Sequence, residues 1–177
     1  MFKIKNRSIS VTDAPYVIAE LSANHNGDIG KAFEIIKSAK ESGADAVKFQ
    51  AYTPHSMTID CDKSDFQIKK GTWAGRSLFD LYKEAGTPLE WQKELFAYSR
   101  ELGITCFSTP FDEAGVDLLS DLDAPAFKVA SFEMTDHGLL NKIGQTKKPV
   151  LMSTGLASLE EIEESIGILK NAGNEDL

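Results

Sequence analysis

The chain has 177 residues with a formal net charge of -8; 42% are hydrophobic and 26% charged. That length can bury one substantial core, and the mixture is that of an ordinary globular domain rather than a disordered segment. The acidic balance argues against a nucleic-acid or anionic-membrane partner, because phosphate surfaces are held mainly by Lys and Arg. Cys61 and Cys106 form no C-x-x-C pair, so neither a disulfide framework nor a zinc site is expected. The first residues, Met1 to Ser8, lack the apolar run of a signal peptide, and no later run approaches the roughly 18 residues of a membrane span. A cytoplasmic protein is expected.

In chain order, Phe2 and Ile4 alternate with Lys3 and Lys5 before a break at Asn6-Arg7-Ser8, the pattern of a short β-hairpin that would plug a larger fold. Short strands rich in Val, Ile or Phe then alternate with amphipathic helices, an order that implies a parallel sheet. The strands are expected at Tyr16 to Leu21, Ala46 to Ala51, Ile104 to Thr109, Ala126 to Ser131 and Pro149 to Thr154. The first helix starts after Asp28, buries Ile29, Ala32, Phe33 and Ile36, and stops at Gly43. Thr87-Pro88-Leu89-Glu90 reads as a capping box opening a helix that Gly103 closes, and Ser158-Leu159-Glu160-Glu161 reads likewise. The stripe of that last helix is expected to be Leu159, Ile162, Ile166 and Leu169. Shorter helices are expected near Asp112 and Asp136.

Tyr52 to Gly86 is a long segment inserted after the second strand, carrying Trp73 and the run Leu78 to Tyr82. Insertions of this size in compact domains are usually functional. Five βα units do not close a (β/α)8 barrel, which needs eight strands and about 250 residues. The expected fold is therefore the N-terminal part of a TIM barrel over residues 1–177. The competing expectation is a complete five-stranded doubly wound sheet, which lacks support because no glycine-rich phosphate loop follows the first strand.

Polar residues end every strand: Glu20, then Lys48 and Gln50, then Ser108 and Thr109, then Lys128, Ser131 and Glu133, then Ser153. Two lysines inside strands are costly to bury unless an anion offsets them. Lys48 and Lys128, with the hydroxyls of Thr109, Ser131 and Ser153, suit a small ligand bearing both carboxylate and phosphate. Glu20 and Glu133 are candidates for proton handling. The plainer alternative makes Lys48–Glu20 and Lys128–Glu133 structural ion pairs. His25 is expected to form its loop or touch substrate, Asn26 beside Gly27 to do the same or shape a turn, and Tyr52, Trp73 and Tyr82 to line a lid or pack the insertion onto the barrel.

The blocks Ile18 to Gly27, Val47-Lys48-Phe49-Gln50, Phe107 to Phe111, Phe127 to Glu133 and Ser153-Thr154-Gly155 together resemble the N-acetylneuraminate (sialic acid) synthase family, in order and spacing. Tyr52-Thr53-Pro54, Met57 to Asp60, Trp73 and Leu78 to Ala85 resemble its pseudaminate-forming branch. The resemblance implies condensation of phosphoenolpyruvate with 2,4-diacetamido-2,4,6-trideoxy-L-altrose, giving pseudaminic acid and phosphate. It implies that Lys48, Thr109, Lys128, Ser131 and Ser153 hold phosphoenolpyruvate. By the same resemblance Gln50 and Glu133 face the sugar, and Glu20 assists at the reacting centre. It further implies a divalent ion, Mn or Mg, held by histidines of later strands outside this sequence. A homodimer is implied for the full-length protein, and an antifreeze-like domain that this sequence does not contain. Competing expectations are a neuraminate or legionaminate synthase, a noncatalytic anion-binding half barrel, and a Schiff-base aldolase using Lys128.

Overall fold

In the computed structural model, residues 2–175 are described; Met1, Asp176 and Leu177 lie outside that range. The chain opens with an antiparallel hairpin, β1 (Phe2–Ile4) and β2 (Arg7–Ile9). The turn falls at Lys5-Asn6 rather than Asn6 to Ser8, with Lys5 in the left-handed region at φ 51°. There follow β3 (Ile18–Glu20), α1 (Ile29–Glu41), β4 (Ala46–Ala51), α2 (Pro54–Met57), α3 (Leu78–Ala85), α4 (Trp91–Glu101) and β5 (Thr105–Pro110). The described chain finishes with α5 (Glu113–Asp121), β6 (Phe127–Val129), α6 (His137–Gln145), β7 (Val150–Met152) and α7 (Leu159–Asn171). No helix among the described residues is long and apolar enough to cross a membrane.

Strands β3 to β7 form one parallel sheet in sequential order. A doubly wound sheet reverses its strand order at a switch point; this one does not, and it curls as the first part of a (β/α)8 barrel. All five strands fall where expected, but β3, β6 and β7 are each half as long as predicted. Ser131 and Ser153 fall just beyond the ladder, whereas the central pair β4 and β5 keeps six residues in register.

The two sides of the sheet bury different things. On the outer side, Val47, Phe49, Cys106, Phe127, Val129 and Val150 pack against the helices. Phe49 meets Phe96 of α4 edge to face at 5.9 Å, both essentially unexposed, and each such burial contributes roughly 1.5–3 kcal/mol. On the inner side, Ile4 of the hairpin packs with Ala46, Phe107 and Ala126, partly covered by Ile18 and Leu151. The hairpin therefore plugs the N-terminal end of the sheet. Arg7 locks it there by an ion pair with Asp45 and by donating to the carbonyls of Ala14 and Pro15.

Helix starts follow side-chain chemistry. Asp28, Asp112, Asp136 and Ser158 each accept a backbone N–H at an N-terminus, and Ser158 with Glu161 completes a capping box. Two expectations need correction. α4 begins at Trp91 and Thr87 caps nothing, because its hydroxyl is drawn to His25 instead. Leu159 stands 75% exposed, and the buried side of α7 runs through Ile162, Ser165 and Leu169.

Candidate active site

The two-residue period of a strand sends Val47 and Phe49 into the helix layer and leaves Lys48 and Gln50 half-buried on the inner side. Glu20 stands opposite Lys48 in register and forms an ion pair with it. Thr109, nearly unexposed, stands opposite Gln50. The Lys128 ammonium donates to the Ser153 hydroxyl and to the Val129 carbonyl, each at 2.5 Å. Ser153 is fixed by its own N–H donating to Val129 O at 3.0 Å. Ser131 lies on the neighbouring loop, close enough that a Cβ on Gly155 would stand 3.5 Å from its hydroxyl.

Burial pushes the Lys128 ammonium down to about 8, the like charge of Lys48 adds to this, and Glu20 and Glu133 pull the other way. Lys128 and Lys48 therefore share one field. Lys48 has a carboxylate partner, but among the described residues Lys128 rests only on neutral oxygens. The structural-pair alternative holds for Lys48–Glu20 and not for Lys128–Glu133. Glu133 points an oxygen, Oε2, into a place sealed from solvent where it finds no hydrogen-bond partner. Burial raises its carboxyl above the usual range, against a hydrogen bond from its own backbone N–H and the pull of Lys128. An ammonium without a counter-ion and a carboxyl oxygen without a hydrogen-bond partner, on β6 and the turn that follows it, form a site that a polar anionic ligand would complete.

His25 and Tyr52 sit elsewhere. His25 has no exposed surface. Its Nδ1 accepts from Gly27 N–H at 3.0 Å, so the proton resides on Nε2 and is donated to the Thr87 hydroxyl at 3.2 Å. Its ring stands edge to face on Trp91 at 5.4 Å. Both nitrogens are engaged inside the chain, so His25 builds the loop. Tyr52 is 7% exposed, wedged edge-on between Tyr82 at 5.9 Å and Phe111 at 5.4 Å, and burial pushes its hydroxyl up to about 12. It pins the insertion to the barrel. Asn26 is exposed with φ 49°, on the rim of a cavity shared with the insertion.

Sequence reasoning missed Thr87 and Gln92. Gln92 Nε2 donates 2.8 Å to the Gln50 carbonyl, bracing β4 from behind. A glutamine in the stripe Gln92, Leu95, Phe96, Ser99 was the available signal. For Thr87 there was none, since its partner lies 62 residues away. Among the described residues no three His, Cys, Asp or Glu side chains gather as a metal ion would need.

The profile of the NeuB family matches residues 35–177. The pseudaminic acid synthase of Campylobacter jejuni subsp. jejuni serotype O:2 is 46% identical over 162 residues, 92% of this chain and 47% of that protein. That of Helicobacter pylori is 42% identical over 163 residues, 92% of this chain and 48% of its own length. Among solved structures, N-acetylneuraminic acid synthetase from Leptospira borgpetersenii serovar Hardjo-bovis superposes with a TM-score of 0.83 at 27% identity, covering 97% of this chain and 55% of that one. The chain thus spans about half the length of the curated relatives it matches.

Proposed function

This chain belongs to the NeuB family, and from that premise we propose that it carries the phosphoenolpyruvate-binding half of a pseudaminic acid synthase. The observation that carries the reading is Lys128, half-buried and without a carboxylate partner, beside a second lysine and three hydroxyl-bearing residues on one mouth. On this reading Lys48 and Lys128 neutralise the carboxylate and phosphate of phosphoenolpyruvate, and Thr109, Ser131 and Ser153 donate to its oxygens. Gln50 faces the sugar, here 2,4-diacetamido-2,4,6-trideoxy-L-altrose in its open-chain form.

Carbon 3 of phosphoenolpyruvate bonds to the sugar aldehyde carbon, whose oxygen takes a proton. On this reading Glu133, whose carboxyl burial raises above the usual range, gives that proton. Water adds at carbon 2, the carbon–oxygen bond to phosphate breaks, and phosphate leaves. Glu20 keeps Lys48 oriented while remaining the carboxylate nearest that ammonium. A divalent ion, Mn or Mg, supplies Lewis-acid polarisation of the aldehyde when bound. Its ligands would come from outside the described residues, as would the antifreeze-like domain and a dimer partner.

The test is phosphate release from phosphoenolpyruvate by the complete gene product with manganese. Each sugar is supplied separately: the altrose derivative, its legionaminate-pathway counterpart and N-acetylmannosamine. Release only with the altrose derivative is expected. Release with another sugar moves the protein to another branch of the family, and none at all from a folded protein leaves an anion-binding half barrel as the better account.

A further inference from the structure

Beside the charged mouth lies a second concavity that the phosphoenolpyruvate half of the reading leaves unused. It is a cavity of about 380 Å³ between the loop after β3 and the insertion, within the size range of small-molecule sites. Its wall combines Ala23, Asn24 and Asn26 from the loop with Trp73, Glu84 and Ala85 from the insertion.

Both walls carry contacts of their own. The loop begins at Leu21, one residue beyond Glu20, and Leu21 N–H donates to Lys48 O at 3.0 Å, so it is continuous with the lysine mouth. Buried His25 fastens its middle to Thr87, and Asn24 Nδ2 donates to Leu21 O at 2.9 Å. On the other side the Arg76 guanidinium lies 5.3 Å over the Trp73 ring and is itself paired with Glu84. The guanidinium thus covers one face of the indole.

The chemistry of the wall selects a ligand class. The carboxamide of Asn26 offers a donor and an acceptor together, the complement of an acetamido group. Trp73, Ala23 and Ala85 offer apolar surface, suited to methyl groups and the face of a sugar. Arg76 is paired with Glu84, and Glu84 itself lines the wall, so a phosphorylated sugar meets a carboxylate there.

We propose that this cavity seats the nonreacting end of an N-acetylated, unphosphorylated deoxy sugar, with Trp73 as the residue that sets specificity for its methyl-bearing part. The inference rests on the proposed function and sharpens it, since it assigns the two ends of the substrate to two walls.

Trp73→Ala and Trp73→Phe in the complete gene product test it, with steady-state kinetics and a calorimetric titration of the altrose derivative. For Trp73→Ala the KM for the sugar rises about tenfold and direct binding weakens in parallel. The KM for phosphoenolpyruvate moves by less than about twofold, and Trp73→Phe recovers most of the loss. An unchanged sugar KM and affinity in Trp73→Ala, with wild-type turnover intact, overturns the cavity and spares the synthase. Equal loss for both substrates also overturns it, as a structural effect. Trp73-dependent sugar binding by a wild-type protein that releases no phosphate keeps the cavity and removes the synthase reading.

Discussion

The inner side of this sheet is two different materials separated by one strand period. At its N-terminal end Ala46, Phe107 and Ala126 close onto Ile4 of the hairpin, dry and uncharged. One step further along the same strands stand Lys48, Thr109 and Lys128, with Glu20 paired to the first lysine and Ser153 to the second. Lys48 and Phe107 even face each other in register across β4 and β5. The contrast shows a division of labour inside single strands: the plugged end supplies the stability that lets the open end keep a lysine without a counter-ion. That is the barrel rule in which residues at the C-terminal ends of strands serve chemistry and those at the N-terminal ends serve stability.

The sharpest way to break this division is to exchange the consequences. Phe107→Ala removes a fully buried ring and is expected to cost about 3–5 kcal/mol, read by denaturant unfolding. Lys128→Ala in the same experiment should cost nothing or stabilise slightly, because it removes a desolvated charge. A large loss for Lys128→Ala would mean that the mouth is structural. A smaller effect is expected for Thr87→Val, about 1–2 kcal/mol, since it leaves the buried Nε2–H of His25 without an acceptor. Burial lowers the His25 pKa, so the folded state resists protonation and stability should fall as pH drops below about 6.5, the unfolded value. If Thr87→Val instead leaves stability unchanged and weakens sugar binding, His25 regains a place beside the substrate.

Much of this was legible before any coordinates. Ala46–Ala51 was read to the residue, because an alternating strand paired on both sides has its register set by the hydrophobic pattern. The inward face of Lys48 and Gln50 followed from the same period. What escaped was nonlocal. Thr87-Pro88-Leu89-Glu90 has every local mark of a helix start, yet the buried imidazole of His25 competes for the threonine hydroxyl and α4 begins later. Tyr52 carries no local mark of burial, and only the folded insertion brings Tyr82 and Phe111 against it. The unpaired oxygen of Glu133 is likewise a property of packing, invisible in a string of residues.

The central claim is that the open end is an anion site governed by Lys128, and calorimetric titration of phosphoenolpyruvate into the complete gene product tests it most directly. At pH 7 Lys128 is charged, and Lys128→Ala should weaken binding by about 10- to 100-fold. At pH 9.5, above the value of about 8, wild-type binding should fall by about tenfold while that of Lys128→Ala changes little. Equal affinity of the two proteins at pH 7, or the same pH dependence in both, would contradict the account.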